Sequence, residues 1–143
     1  MGAMLAYSGG CHCGALSLTF ETAVAPAKLE RRACQCSFCR AHGVVSVSDP
    51  DGALRIDAKA DALVRYRFGL KTADFLICAR CGVYVVSVFG DGEDLWGVVN
   101  ANALHERTSF TAAINAVDYD GETPVSRGER RKHRWTPIEA FNV

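Results

Sequence analysis

Seven cysteines gathered in three short motifs constrain this 143-residue chain more than any other feature of its sequence. An odd and high number of cysteines does not suit a framework made only of disulfides, so reduced thiols that hold a metal ion are the better explanation. Every cysteine belongs to one of the motifs, which are Cys11-His12-Cys13-Gly14, Cys34-Gln35-Cys36-Ser37-Phe38-Cys39 and Cys78-Ala79-Arg80-Cys81-Gly82. The sequence therefore predicts metal binding.

The spacing within the motifs suits zinc. Thiolates bind tetrahedral zinc at about 2.3 Å, which places two sulfur atoms on one ion roughly 3.8 Å apart. A Cys-x-x-Cys turn, such as the one from Cys78 to Cys81, presents two sulfurs at that separation. Gly14 and Gly82 each follow the second cysteine of a motif, where a positive φ lets backbone amides turn toward the thiolates. Ligand type and local geometry therefore agree.

Seven thiolates can be divided between metal ions in two ways. In the first, four cysteines form a closed structural site and three form a site with an open coordination position. The four, here the cysteine quartet, are Cys11, Cys13, Cys78 and Cys81, and the three, here the cysteine trio, are Cys34, Cys36 and Cys39. In the second, the pairs Cys36/Cys39 and Cys78/Cys81 share one zinc-ribbon ion, and Cys11, Cys13 and Cys34 are left over. Spacing favours the first division and leaves the second open.

Composition and charge narrow the class of protein. Hydrophobic residues make up 49% of the chain and charged residues 22%, which suits one folded domain over residues 1–143. Sixteen Lys and Arg balance sixteen Asp and Glu, so no nucleic-acid partner is expected.

The apolar runs, such as residues 83–89, are far shorter than the roughly 20 residues of a membrane-spanning helix. Residues 1–8 lack the pattern of a secretory signal, and we expect a cytoplasmic protein without a membrane partner.

Alternating apolar and polar residues predict short strands. Leu16, Leu18 and Phe20 alternate with polar residues, as in a strand with one buried face. Similar segments lie at residues 44–48, 63–68, 83–89 and 95–100, and turn sequences lie at 49–52, 68–69 and 90–92. Short helices are expected at residues 100–106 and 127–134. The pattern predicts a mainly β fold of antiparallel sheets with few short helices.

Taken together, the three motifs resemble one family. The segments 9–15, 34–40 and 75–82 are similar to those of the glutathione-dependent formaldehyde-activating enzyme family, which also includes centromere protein V. The resemblance covers about residues 4–105, and residues 115–143 form a C-terminal extension. It implies a β-tent arrangement around a structural zinc ion. It also favours the first division, with the quartet as the structural zinc site and the trio as the catalytic zinc site.

The resemblance also implies an activity: a zinc-dependent carbon–sulfur lyase that forms or cleaves thiol–aldehyde adducts of the S-hydroxymethylglutathione type, with a small thiol such as glutathione and a small aldehyde as partners. Charge is consistent with this activity. Zinc with three thiolates carries about −1 and is a weak electrophile for hydrolysis, but it can hold an added thiol as thiolate near neutral pH. We expect the catalytic residues to be Cys34, Cys36 and Cys39, and about two zinc ions per chain.

Two other functional classes stay open. The chain can be a non-catalytic zinc-binding module that serves structure or protein interaction. It can also be a relative that keeps only the structural ion, because exposed thiolates of the trio oxidise readily and the second zinc is then absent. Accessibility of the trio distinguishes these classes from an enzyme, since a catalytic site needs a concave pocket beside Cys34, Cys36 and Cys39.

Histidines and arginines near the motifs have ordinary interpretations as well as functional ones. His42 follows Cys39 by three residues, a spacing that permits a fourth ligand or a base, but we expect a surface or packed imidazole. Arg31, Arg32 and Arg40 can offset thiolate charge or bind a carboxylate, although a solvated surface is the default.

The C-terminal basic cluster is expected to pair with nearby acids across the surface, and the large aromatics are expected to pack in the core or at its rim. The basic cluster is Arg127, Arg130, Arg131, Lys132 and Arg134, the acids are Asp118, Asp120 and Glu122, and the aromatics are Phe75, Phe89, Trp96 and Trp135. His12 lies between two cysteines, where we expect a structural role with the side chain directed away from the metal. His105 and His133 lie outside the motifs, and we expect no special role for them.

Overall fold

A computed structural model describes residues 3–143, which form eleven strands and two α-helices. Their bounds are β1 Leu5–Gly10, β2 Leu16–Thr22, β3 Arg31–Cys34, α1 Ser37–His42, β4 Ser46–Val47, β5 Ala53–Ala58, β6 Leu63–Tyr66, β7 Asp74–Cys78, β8 Tyr84–Asp91, β9 Asp94–Asn100, β10 Ile114–Val117, α2 Pro124–Arg134 and β11 Thr136–Asn142. The predicted mainly β fold with few short helices is confirmed.

The strands form one continuous mixed sheet. The main path runs β1-β2-β5-β11-β9-β4-β3-β10, and β6, β7 and β8 extend from β9 in the order β9-β8-β7-β6. Most neighbours are antiparallel, as expected, but β3 pairs with β10 and β5 pairs with β11 in parallel. Parallel pairs join segments that are far apart in sequence, so the local alternation of residues could not indicate them.

Four predicted strand segments coincide with observed strands, and one is shorter than expected. Residues 16–20, 63–68, 83–89 and 95–100 correspond to β2, β6, β8 and β9. The segment 44–48 contributes only β4, Ser46–Val47. The reason is local, because the Val44 N–H donates to the carbonyl of Cys39 at the end of α1 and is not available to a neighbouring strand.

The two predicted helices have different outcomes. Residues 100–106 do not form an α-helix, and the structure has short 3₁₀ turns at Ala101–Ala103 and Arg107–Ser109. Between them the chain returns to β1, since Leu104 forms a β-bridge with Gly9 and the His105 N–H donates to the carbonyl of Ser8. The second helix is α2, which begins at Pro124 because Thr123 and Ser126 form a capping box in front of the basic run.

Apolar side chains from most strands form the interior and position the cysteines. The largest cluster contains fully buried residues such as Phe20, Leu54 and Phe110, and it includes Cys11 and Cys78 of the quartet. A separate small cluster holds Cys39 with Val44 and Tyr84, packed against Phe38 and Phe75. The quartet therefore borders the main core, and the trio borders an aromatic cluster.

Neither described α-helix has the length and apolar character that a membrane span requires.

Candidate metal centres and the adjoining cavity

The quartet is assembled from two distant turns. Cys11 and Cys13 lie in the turn between β1 and β2, Cys78 ends β7, and Cys81 lies in the turn before β8. All four sulfur atoms lie within 4.8 Å of one another. The Cys11 and Cys13 sulfurs are 3.7 Å apart, and the Cys13 and Cys78 sulfurs are 3.5 Å apart. The sulfur atoms are thus grouped as in the first of the two divisions.

Backbone amides surround these sulfurs. The Leu16 N–H donates to the sulfur of Cys11 at 3.2 Å, and the Arg80 N–H donates to that of Cys78 at 3.4 Å. Gly14 and Gly82 adopt φ values of 84° and 79°, which close the turns that present these amides. N–H groups directed at sulfur favour the thiolate, the form that binds metal.

Two cysteines of the quartet, Cys81 and Cys13, have opposite tendencies to ionise. Desolvation opposes ionisation of Cys81, but hydrogen bonds from the backbone at Cys13 and Val83 lower its pKa to about 6. The Ala15 N–H acts to lower the pKa of Cys13, but the Cys78 sulfur and burial raise it to about 11. Close thiolates repel one another, and a divalent cation removes that repulsion. Four sulfur donors within 4.8 Å fit a closed tetrahedral zinc site.

The trio is assembled around the start of α1. Cys34 is the last residue of β3, Cys36 is the N-cap of α1, and Cys39 lies buried within the helix. The three sulfurs lie within 4.8 Å of one another, and the Cys36 sulfur accepts the N–H of Cys39 at 3.4 Å. Local helix formation thus gathers the three sulfurs, and a set of three thiolates fits a zinc ion that keeps one position open.

Cys34 and Cys39 have opposite tendencies to ionise. The neighbouring Cys39 side chain, opposed by desolvation and aided by the backbone N–H of Cys36 and the positive charge of Arg130, lowers the pKa of Cys34 to about 6. The Cys34 thiolate and burial raise the pKa of Cys39 well above its usual range. Opposite shifts of this kind are expected for two thiols whose ionisations are coupled.

A cavity of about 450 Å³ opens beside the trio. All three trio cysteines line it, whereas no quartet cysteine does. Its size is within the range of small-molecule sites. The trio therefore has the concave surroundings that a catalytic site needs, and the quartet does not border this cavity.

The family model described as glutathione-dependent formaldehyde-activating enzyme matches residues 6–117, a segment that contains all seven cysteines. The chain belongs to the glutathione-dependent formaldehyde-activating enzyme family. Among solved structures it is similar to a Rhodobacter sphaeroides protein, with 27% identity over 85% of this chain and 94% of that chain and a TM-score of 0.48.

Aromatic rings and two hydroxyl groups form part of the cavity wall in this family member. Tyr84 is buried and its hydroxyl lies 2.5 Å from the Ser87 hydroxyl, and both residues line the cavity with Phe75. Desolvation raises the pKa of Tyr84 above its usual range, so the hydroxyl remains protonated. Sequence reasoning missed both residues. The available signal was Ser87, the polar residue in the otherwise apolar segment 83–89.

The histidines lie apart from the sulfur groups. His42 is exposed, and its ring packs on that of Phe38 with centroids 4.4 Å apart. His12 is exposed between its two cysteines. Within residues 3–143, neither sulfur group includes a histidine nitrogen. His42 therefore has the packed position that the sequence favoured.

The arginines upstream of α1 have separate positions. Arg32 is buried, donates to Ser48 at 2.7 Å and lines the cavity. Arg31 donates to the carbonyl of Ala112, and Arg40 is exposed on α1. Of these three, Arg32 alone contributes to the cavity wall.

The C-terminal basic cluster is only partly a surface feature, which corrects the expectation. Arg127 and Arg130 pair with Glu122, as predicted from charge. Arg131 instead is buried and lines the cavity, because the guanidinium packs over the rings of Phe89 and Trp135. Gly128 allows this packing, since a side chain there would contact the Phe89 ring at 3.1 Å. Trp135 is buried, as expected, and also lines the cavity.

Proposed function

We propose that this chain is an enzyme that reversibly adds a small thiol to a small aldehyde, which is carbon–sulfur lyase chemistry in the cleavage direction. The observation that carries the proposal is the cysteine trio, whose three sulfurs lie within 4.8 Å of one another on the wall of a cavity of about 450 Å³. The family description names glutathione and formaldehyde, so these are the first thiol and aldehyde to test.

The donor sets support two zinc ions per chain with different tasks. The quartet would hold a closed structural ion, and Cys34, Cys36 and Cys39 would hold a second ion with one open position. When bound at the trio, zinc would lower the pKa of an incoming thiol and so make it nucleophilic near neutral pH.

The cavity supplies groups for the aldehyde. The protonated Tyr84 hydroxyl, held by Ser87, can donate a hydrogen bond to the carbonyl oxygen as it gains negative charge. The thiol S–H bond breaks, a carbon–sulfur bond forms, and the proton ends on the former carbonyl oxygen. Nothing is oxidised or reduced, so the reaction needs no further reactant.

The C-terminal extension is part of the same domain in this proposal. β11 lies between β5 and β9 and pairs with both, and α2 contributes Arg127, Arg130 and Arg131 to the cavity. The extension would therefore complete both the sheet and the substrate site.

The test is the rate of hemithioacetal exchange between glutathione and formaldehyde, measured by NMR exchange spectroscopy. Cys36→Ser should reduce the enzymatic rate at least about 100-fold, because it removes a ligand of the open site. Arg40→Met is the matched control, since Arg40 is exposed on the same helix and does not line the cavity.

A loss of no more than a few-fold in Cys36→Ser would contradict the proposal. A wild-type protein that binds two zinc ions but does not accelerate exchange with any small thiol would support the alternative, a non-catalytic zinc-binding module.

A further inference from the structure

Several arginines of the C-terminal segment line the cavity beside the trio. Three arginines of α2, Arg127, Arg130 and Arg131, line it together with Arg32 of β3. α2 begins at Pro124, beyond residue 117, where the family match ends. The three arginines of α2 therefore lie outside the segment that the family model matches.

Arg127 and Arg130 are held by a single carboxylate. Arg127 Nε lies 2.9 Å from Glu122 Oε1, and Arg130 Nε lies 2.8 Å from Glu122 Oε2. The Arg130 guanidinium also stacks 3.5 Å from the centre of the Tyr119 ring. These contacts hold two positive charges against one negative charge, and Asp118 and Asp120 also line the cavity.

Arg131 is a buried cation with few partners. Its residue surface is only 6% exposed. Nη1 donates to Thr72 Oγ1 at 2.8 Å, and the buried Nε has no acceptor among residues 3–143. The guanidinium lies 4.8 Å from the Trp135 ring and 5.4 Å from the Phe89 ring. Rings hold the side chain in place without neutralising it.

The carboxylates of the neighbouring segment do not neutralise the charge of Arg131. Glu122 is already bound by Arg127 and Arg130. Asp118 and Asp120 line the cavity but are exposed, and no ion pair joins either of them to Arg131 within the described chain. A buried charge with an unsatisfied donor is costly unless an anion accompanies it. The cavity side of Arg131 is therefore suited to an anionic group of a ligand.

We propose that Arg131 binds a carboxylate of the substrate thiol and, with Arg127 and Arg130, directs the thiol group of that substrate toward the trio. A planar guanidinium matches a carboxylate better than it matches a compact neutral group. The inference rests on the proposed function for the identity of the ligand as a thiol, but the carboxylate subsite itself does not depend on any reaction.

An alternative task for these arginines is to offset the negative charge of the trio. In that case removal of the Arg131 charge would affect every thiol substrate equally. A carboxylate subsite predicts discrimination between thiols that differ in that one group.

The kinetic test compares 3-mercaptopropionate with 2-mercaptoethanol, each with formaldehyde, in wild type and Arg131→Met. Loss of a charge-assisted hydrogen bond should reduce kcat/KM for 3-mercaptopropionate by about 10- to 100-fold, mainly through KM. Activity with 2-mercaptoethanol should change less than about threefold. The matched control is Arg134→Met, since Arg134 is exposed on the same helix and does not line the cavity. An equal loss with both thiols would overturn the proposal.

The binding test needs no catalysis. Glutarate is titrated into the wild-type protein while the tryptophan fluorescence is followed, to which Trp135 beside Arg131 contributes. Saturable binding that weakens at least about tenfold in Arg131→Met, or in Arg131→Lys if the methionine variant does not fold, supports the subsite.

An absence of saturable glutarate binding in wild type overturns the subsite. Equal binding of inorganic sulfate overturns the assignment to carboxylate. Glutarate binding by a protein that catalyses no thiol addition would keep the subsite and refute the proposed function, so the two failures are distinguishable.

Discussion

The sulfur atoms of Cys13 and Cys78 lie 3.5 Å apart although 65 positions separate them in the chain. Cys13 belongs to the turn after β1, and Cys78 ends β7. A metal ion shared by these turns would close a long loop and restrict the unfolded chain, and structural zinc sites contribute about 10 kcal/mol or more to folding. The quartet is therefore expected to control the stability of the whole sheet.

Cys81→Ala should lower the free energy of unfolding by more than about 4 kcal/mol, because one ligand of the closed site is lost and thiolates near the core remain without a cation. Thermal melting followed by circular dichroism, together with zinc content per chain, measures the effect. His12→Ala is the control, since His12 is exposed between two quartet cysteines and its removal should leave both quantities unchanged. A Cys81→Ala protein with wild-type melting and zinc content would refute the structural role.

Substitutions in the trio should behave differently. Cys39→Ser should reduce the zinc content from about two ions per chain to about one, while the melting temperature changes by only a few degrees. The reason is that the trio is confined to residues 34–39 and joins no distant strands. Inductively coupled plasma mass spectrometry with calorimetry provides both numbers. Unfolding of Cys39→Ser, or retention of two ions, would contradict the division into a structural and an open site.

Residues with a strong local signal are the ones that sequence reasoning placed well. The glycines that follow two of the three cysteine motifs indicated tight turns, and Gly14 and Gly82 adopt positive φ. Period-2 alternation identified β2, where Leu16, Leu18 and Phe20 are buried. These features depend on a few neighbouring residues, so they can be read without knowledge of the tertiary structure.

Features that depend on distant contacts were not predictable in the same way. β11 contains Pro137 and Glu139 and has no clear alternation, but it lies between β5 and β9 in the sheet. Arg131 belongs to a basic run typical of a solvated helix face, and only the approach of Phe89 and Trp135 shows that it is buried. Tertiary packing decides both positions, and the sequence of either segment alone does not contain that information.

The contact between β1 and the chain after β9 gives a further prediction. A Cβ atom on Gly9 would lie 2.4 Å from the carbonyl oxygen of Ala103 and 2.9 Å from the Cα of Leu104. Gly9→Ala should therefore separate these segments and destabilise the protein by about 1–3 kcal/mol, with a melting temperature lower by roughly 5 °C. Ser8→Ala, at an exposed neighbouring position, is the control. Equal melting of Gly9→Ala and wild type would show that the backbone adjusts without cost.

The ion pairs that fix α2 predict a measurable titration. Hydrogen bonding by Arg130, opposed by desolvation and aided by Arg127, holds the pKa of the Glu122 carboxyl below its usual range. A lowered pKa in the folded protein means that the pairing stabilises fully above the ordinary Glu pKa and is lost as the pH falls through the lowered pKa. Arg130→Met should therefore move the pKa of Glu122 upward, as measured by ¹³C NMR of the carboxyl group.

Two comparisons complete this test of α2. Arg134→Met, which removes a positive charge from the same helix without removing a partner of Glu122, should leave the titration midpoint of Glu122 unchanged. Glu122→Gln should lower the free energy of unfolding at pH 7 by about 1–2 kcal/mol, because two arginines lose their charged acceptor. An unchanged midpoint in Arg130→Met would mean that the pair between Arg130 and Glu122 does not form in solution.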